Sequence, residues 1–211
     1  VNIVFFVDAG IGNGLKTKLS EALSLQDYKL AKTYISTAYL FISGIALAVL
    51  LIGAVFLFTI NWQDLFNTSI KNEELIVVLG LILGMVVISF VLNIFKSFYY
   101  SAQQSSKVEF ALLIYQLLVL SSIYILLQYF TRNLLYVALV YGVSNISIGL
   151  LFTFLFFRKN KNIKPSIKYF KKEKVNDLMG LSLAFFCIQL CMIIIFTTDN
   201  LIITNLIGPE E

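Results

Sequence analysis

The chain has 211 residues, of which 59% are hydrophobic and only 13% are charged, and it carries a net charge of +4 without any histidine. Soluble domains average about 45–50% apolar and about 25% charged residues, so the composition excludes an ordinary water-soluble globular fold. Without histidine, and with only two cysteines, the chain offers little for a metal site or for acid–base catalysis. We therefore expect no metal, no cofactor and no enzyme activity.

Five stretches of the chain contain no charged residue, and each is long enough to cross a bilayer, which takes about 20 residues. They lie between Lys32 and Asp64, Glu74 and Lys96, Glu109 and Arg132, Arg132 and Arg158, and Asp177 and Asp199. We predict an all-α, polytopic transmembrane helix bundle with about five full spans. Residues 1–7 are too short to span, so we interpret them as the tail of a truncated first helix, and the sequence as a fragment of a longer chain.

The first motif, GIGNGLKT at residues 10–17, is similar to a phosphate-binding loop. In the Walker A pattern a glycine precedes the lysine, but here Leu15 precedes Lys16 and would obstruct the close approach of phosphate. The following LKTKLSEAL predicts a short amphipathic helix, with its apolar face on the membrane or on neighbouring helices. We therefore reject a nucleotide site and interpret residues 8–14 as a flexible turn. The candidate residues of this motif are Asp8, Gly10, Gly12, Asn13, Gly14 and Lys16.

The remaining helices follow in order, beginning with one that Asp27 is placed to cap. The predicted spans are 36–60, 75–95, 110–130, 134–157 and 178 to about 207. Gly80 and Gly84 form a G-x-x-x-G pattern in the second span, which favours close helix approach. Only three residues separate the third and fourth spans, so these two are expected to be antiparallel neighbours. A basic and aromatic linker at 162–177 leads to the last span.

The distribution of basic residues predicts the orientation. Fourteen of the 16 Lys and Arg residues fall in alternate connections, at 8–35, 96–109 and 158–177, whereas the other connections hold only Lys71 and Arg132. By the positive-inside rule those three segments are cytoplasmic. Beside membrane ends, such lysines favour contact with anionic lipid headgroups over nucleic acid.

Uncharged polar residues recur at helical spacing within the spans. Such residues are costly in lipid, so they either form hydrogen bonds between helices or line a shared hydrophilic cavity. Ser89, Asn93 and Ser97 share one face of the second span. Ser121, Tyr124 and Gln128 share one face of the third span. The candidates for the cavity are Asn93, Tyr124, Gln128, Tyr141, Asn145, Gln189 and Asn200. Amides and aromatic rings suit the hydroxyls and faces of sugars, although they suit other polar solutes too.

Asp199 is the one acid inside an otherwise apolar helix. A carboxylate inside a membrane is energetically costly, so it needs a structural or functional role. Asp199 is therefore either a structural hydrogen-bonding group or a protonation or cation site coupled to transport. Cys187 and Cys191 are four residues apart and are interpreted as small packing residues.

Three segments together resemble the bacterial polysaccharide flippases, which are the O-antigen and capsule exporters of the multidrug/oligosaccharidyl-lipid/polysaccharide superfamily. The first, DAGIGNGLKTKLSEALSLQDYKLAKTYISTAY, is similar to the segment that joins their second and third helices. The second, FKSFYYSAQQSSK, is similar to the cytoplasmic exit of their fourth helix. The third, TTDNLIITNLIGPEE, is similar to the start of their second lobe. The resemblance spans the whole sequence and is most specific over its first 40 residues.

The resemblance implies the fold and topology of a MATE-like transporter. Residues 1–161 would be most of the N-terminal transmembrane lobe, 162–177 a cytoplasmic linker, and 178–211 the first helix of the second lobe. The location implied is the bacterial inner membrane. The family's basic cavity residues, which would meet a pyrophosphate, have no counterpart within these spans.

The function implied is a rocker-switch transport of undecaprenyl-pyrophosphate-linked oligosaccharide from the cytoplasmic to the outer leaflet. Its partners would be that lipid-linked substrate, membrane lipids, and a polysaccharide polymerase with other assembly proteins of lipopolysaccharide or capsule synthesis. Two alternatives stay open, a cation-coupled antiporter of drugs or small molecules and, with less support, a membrane-embedded polysaccharide polymerase. The polymerase is disfavoured because no pair of acids is placed at a common depth for catalysis.

Overall fold

The computed structural model describes residues 10–129 and 134–207, except for the side chains at 190, 193–197 and 199–207. Within this part of the chain all regular structure is helical, and no strand occurs. The helices are α1 (Ile11–Ser24), α2 (Tyr28–Thr59), α3 (Trp62–Leu65), α4 (Asn72–Leu92), α5 (Phe95–Ser101), α6 (Ser105–Tyr129), α7 (Leu134–Lys159) and α8 (Lys172–Ile207). Short 3₁₀ turns at Lys161–Ile163 and Ile167–Tyr169 connect α7 to α8.

Four of the described helical segments are long and apolar enough to cross a membrane: α2, α4 continued by α5, α6 and α7. These helices leave large apolar side chains uncovered, as at Leu51, Val55 and Phe58 of α2, which are 61%, 62% and 75% exposed. In water this surface would drive aggregation, whereas lipid covers it at no cost. The predicted all-α bundle of a multi-pass membrane protein is thus confirmed at this level, and the predicted fifth span falls in α8.

The core of the chain lies at one end of the bundle. The start of α2, the helix α5, the end of α7 and the start of α8 meet there, and α1 packs against α2, α5 and α8. This end also carries the basic segments around Lys16, Lys29, Lys107 and Lys164. We call it the basic end, and define it as residues 10–38, 94–111 and 152–182.

Aromatic residues from α5 and α7 fill the centre of the basic end. Phe98 is fully buried, with ring centroids 5.4 Å from Phe156 and 5.3 Å from Phe157. Tyr99 packs edge-on against Phe152 and donates a hydrogen bond from its hydroxyl to the Phe152 carbonyl oxygen at 3.1 Å. Each buried aromatic removes a large apolar area from solvent, so this cluster holds the two helices together.

Three helix boundaries differ from the sequence-based predictions. The turn predicted at residues 8–14 is wrong from Ile11 onward, where α1 already begins. The second span does not run unbroken to Phe95: the amide of Lys96 bonds to the Asn93 carbonyl oxygen, and this tighter i→i−3 bonding separates α4 from α5. The last helix begins at Lys172, not at 178. The connections predicted at 8–35, 96–109 and 158–177 are therefore largely helical.

Close packing between α4 and α7 depends on glycines that the sequence did not single out. A Cβ on Gly149 would come within 2.9 Å of the Leu92 Cβ, and one on Gly142 would collide with the side chain of Met85. By contrast, a Cβ on Gly84 would meet nothing within 4 Å, and one on Gly80 would meet only a Leu side chain. The prediction that the G-x-x-x-G pattern forms the close contact is therefore wrong at Gly84.

Candidate functional site

The amphipathic helix α1 is buried against other helices of the basic end. Leu15, Leu19 and Ala22 are fully buried and Ile11 is 4% exposed, and the helix contacts α2, α5 and α8. Of the two predicted positions for its apolar face, the structure shows the one on neighbouring helices. Because one helix contacts three others, α1 determines how the ends of those helices are spaced.

Two glycines allow α1 to approach α8 closely. Gly10 precedes the helix with a φ of +74°, a conformation that side chains with a Cβ rarely adopt. A Cβ on Gly14 would lie 2.9 Å from the Leu178 carbonyl oxygen and closer still to Ser182 Oγ. Gly10 and Gly14 of the predicted motif must therefore be glycines because α8 packs directly against them.

Two other residues of the motif, Gly12 and Lys16, contact α5. The hydroxyl of Ser97 donates to the carbonyl oxygen of Gly12 at 2.9 Å, and the Lys16 ammonium lies 5.0 Å from the centre of the Tyr100 ring. Asn13 is half-buried, and its carbonyl oxygen accepts from the Thr17 hydroxyl within α1. Asp8 lies outside the described residues.

A polar groove of about 320 Å³ lies between α1 and α5, lined by Lys16, Thr17, Ser20, Glu21, Ser24 and Tyr100. Glu21 forms an ion pair with Lys18 at 3.1 Å, and this hydrogen bond raises the pKa of Lys18 above its usual value. Because the Glu21 carboxylate lines the same groove as the Lys16 ammonium, the groove is poorly suited to phosphate. This agrees with rejecting a nucleotide site.

The linker between α7 and α8 is attached to the start of α2. The Ser36 hydroxyl accepts from the Ser166 amide at 3.0 Å, and the Thr37 hydroxyl accepts from the Lys171 amide at 3.3 Å. Two backbone donors of the linker are thus satisfied by side chains of α2, so the linker has a defined position on this helix.

An ionic contact joins the start of α8 to α2. The Asp177 carboxylate accepts from the Lys174 ammonium at 2.7 Å and from the Tyr34 hydroxyl at 3.5 Å. The hydrogen bond between the two charged groups lowers the pKa of Asp177 and raises that of Lys174. Both side chains are partly exposed, so their contribution to stability is small.

Among the candidate cavity residues whose side chains the structure describes, three are exposed and without a hydrogen bond. Tyr124 is 65% exposed, Tyr141 is 47% exposed and Gln128 is exposed, and within the described part of the chain none of their side chains makes a hydrogen bond. Asn145 and Gln189 are half-buried. Among the described residues, Tyr124 and Gln128 of α6 therefore show no interhelical hydrogen bond, which was the plainer of the two interpretations.

The stripe around Asn93 behaves differently from the one on α6. Asn93 is half-buried at the break between α4 and α5, while Ser89 and Ser97 are buried on either side of it. Ser97 is committed to α1, so this stripe serves helix packing at least in part. The side chains of Asp199 and Asn200 lie outside the described residues, so their predicted roles stay predictions.

On α6, Tyr124 and Gln128 lie on the face that points away from the other described helices. Val119 and Leu126 are buried at 7% and 8% exposure, and at about 100° per residue they lie on the opposite side of the helix from Tyr124. Gln128 follows Tyr124 by one turn on the same exposed face. A surface of this kind, with a phenol and an amide in an apolar helix, can hydrogen-bond a polar molecule from outside these helices.

Comparison with protein-family models, with curated proteins and with solved structures found no match for this chain.

Proposed function

We propose that this chain belongs to a transporter that moves a lipid-linked oligosaccharide, carried on undecaprenyl pyrophosphate, from the cytoplasmic to the outer leaflet of the bacterial inner membrane. The observation that carries the proposal is the exposed polar face of α6, where Tyr124 and Gln128 have no partner among the described residues. Polar groups in an apolar span need a partner other than lipid tails. Sugar hydroxyls and ring faces would supply one.

The attachment of α8 also supports a two-lobe transporter. This helix contacts α1 and α2 near Leu178 and Ser182, whereas Ile188 and Met192 further along are 58% and 47% exposed. A helix whose buried residues lie near its start, as at Leu178 and Ser182, suits the first helix of a second lobe. Rocking of two lobes about such a junction is how alternating access is achieved in many transporters.

The charge asymmetry supports loading from the cytoplasm. Fourteen basic residues lie in segments of the basic end, and positive residues favour the cytoplasmic side. A pyrophosphate-linked substrate made in the cytoplasm would reach the protein at that side. The described spans offer no cation in their middle portions for the pyrophosphate, so we expect the sugar to be the part that α6 contacts.

The proposal is tested by deleting the gene that encodes this chain in its bacterium and complementing it with variants. Deletion should abolish surface polysaccharide while the lipid-linked unit accumulates. Tyr124→Leu combined with Gln128→Leu should fail to restore the polymer. Tyr129→Leu should restore it, because Tyr129 lies about 140° around the helix from Tyr124 and is just as exposed to its surroundings.

Two outcomes would contradict the proposal. Unchanged polysaccharide with increased sensitivity to cationic drugs would favour the antiporter, for which Asp199→Asn should then abolish efflux. Accumulation of single, already exported repeat units on the outer leaflet would instead favour the polymerase.

A further inference from the structure

The linker between α7 and α8, together with the helix ends that flank it, carries a large excess of positive charge. Eight basic residues lie between positions 158 and 174: Arg158, Lys159, Lys161, Lys164, Lys168, Lys171, Lys172 and Lys174. Of these eight, only Lys174 forms an ion pair with a described residue. The other seven keep their charge unmatched at the end of a membrane helix bundle, where anionic headgroups are the nearest source of negative charge.

The same linker exposes apolar side chains between its lysines. Ile167 is 81% exposed and Phe170 is 43% exposed. The linker is nevertheless fixed in place, because Ile163 is buried at 2% exposure and the Lys32 ammonium lies 4.4 Å from the centre of the Tyr169 ring. A fixed segment that presents both apolar and basic side chains suits the boundary between headgroups and acyl chains.

A groove of about 250 Å³ lies between this segment and α2. It is lined by Ser36, Tyr39, Leu40, Ser43, Pro165, Ser166 and Ile167. The four α2 residues follow the i, i+3, i+4, i+7 spacing of one helix face. The groove is slightly smaller than a typical small-molecule site, which is about 300–1,000 Å³, so it fits a headgroup or a short part of one acyl chain.

We propose that this groove binds one anionic phospholipid of the surrounding bilayer. Lys164 and Lys168, which flank the linker side of the groove and have no ion pair in the described residues, would hold the phosphate. Leu40, Ile167 and, about one turn further into the span, Ser43 line the path of the first part of an acyl chain. The bound lipid joins the linker to α2, and its binding does not depend on the substrate that the protein transports.

The test measures lipid binding directly by native mass spectrometry of the purified chain in detergent, with added phosphatidylglycerol or phosphatidylcholine. The wild type should retain phosphatidylglycerol preferentially. Each lysine near an anionic headgroup is worth about 1 kcal/mol, so Lys164→Gln with Lys168→Gln should reduce that preference roughly 25-fold at 1.4 kcal/mol per factor of ten. Lys16→Gln with Lys71→Gln removes the same charge from exposed positions, neither of which lines this groove, and should keep the preference.

Each result decides the proposal. Equal retention of both lipids by the wild type, or an equal loss of preference in the control variant, would overturn it. Displacement of the lipid by millimolar inorganic phosphate would mean that the groove takes a free anion, and would also overturn it. If the double lysine variant loses its helicity, Ser43→Trp decides instead, because it fills the groove without changing any charge: lost lipid binding supports the proposal, and retained binding refutes it.

Discussion

Substituting Gly14 by Ala tests whether α1 and α8 need their close contact. The new Cβ would lie 2.9 Å from the Leu178 carbonyl oxygen, which belongs to the backbone and cannot move aside without moving α8. Adding a methyl group to a packed contact costs about 1–3 kcal/mol. Alanine also favours the helix by about 1 kcal/mol over glycine, and this gain partly masks the loss.

Gly180→Ala is the matched control, because it makes the same chemical change in α8 where a Cβ meets nothing within 4 Å. The helix-propensity gain is common to both variants, so the difference between their unfolding free energies isolates the contact. We expect Gly14→Ala to be less stable than Gly180→Ala by about 1–3 kcal/mol. Unfolding in SDS, followed by circular dichroism, measures both.

The refuting result is equal stability of the two variants. It would mean that α8 does not rest on α1 at Gly14, and the basic end would then lack the junction described above. A loss in both variants would be equally damaging, because Gly180 has space for the added methyl group.

Three other outcomes are expected. Phe98→Ala should destabilise the chain by about 3–5 kcal/mol because the ring is fully buried, whereas Phe58→Ala, at a ring 75% exposed, should change stability little in the same SDS assay. Ser97→Ala should cost about 1 kcal/mol, the usual contribution of a hydrogen bond, because its hydroxyl donates to a carbonyl of α1. The pKa of Asp177 is lowered in the folded state, so its pair with Lys174 should stabilise the fold above the ordinary carboxyl pKa and lose that effect as the pH falls through the lowered value. A pH series should show this loss in the wild type but not in Asp177→Asn.

The positions of the spans could be predicted from the sequence because lipid excludes charges so strongly that the gaps between them mark the helices. The cap at Asp27 was also predictable from local chemistry, and its carboxylate does accept from the Leu30 amide at 2.9 Å. Both features depend on near neighbours in the chain or on the bilayer, and neither depends on how the helices pack.

The start of α1 and the close helix contacts could not be predicted in this way. Three glycines and an asparagine favour a turn, but contact with α8 outweighs these weak local preferences from Ile11 onward. The glycines that matter between α4 and α7 are Gly142 and Gly149, two turns apart, and no short motif contains both. Only the partner helix shows which glycine faces a neighbour and which, like Gly84, faces open space.

Among the candidate site residues, the sequence could indicate which were polar but not which way they point. Ser97 and Gln128 both follow helical spacing, yet one is bonded to α1 and the other is exposed. Direction depends on the packing of buried residues on the opposite face, such as Leu126. The polar face of α6 therefore becomes a candidate for substrate contact only once that packing is known.

The measurement that tests the central claim most directly is the distribution of the lipid-linked oligosaccharide between leaflets. Inner-membrane vesicles of known orientation, from cells with and without the gene, would be treated with a membrane-impermeant reagent that labels sugars. Transport by this protein predicts that the outer-leaflet fraction falls to background in the deletion strain and returns with the wild-type gene but not with Tyr124→Leu and Gln128→Leu together. An unchanged outer-leaflet fraction in the deletion strain would contradict the proposed function.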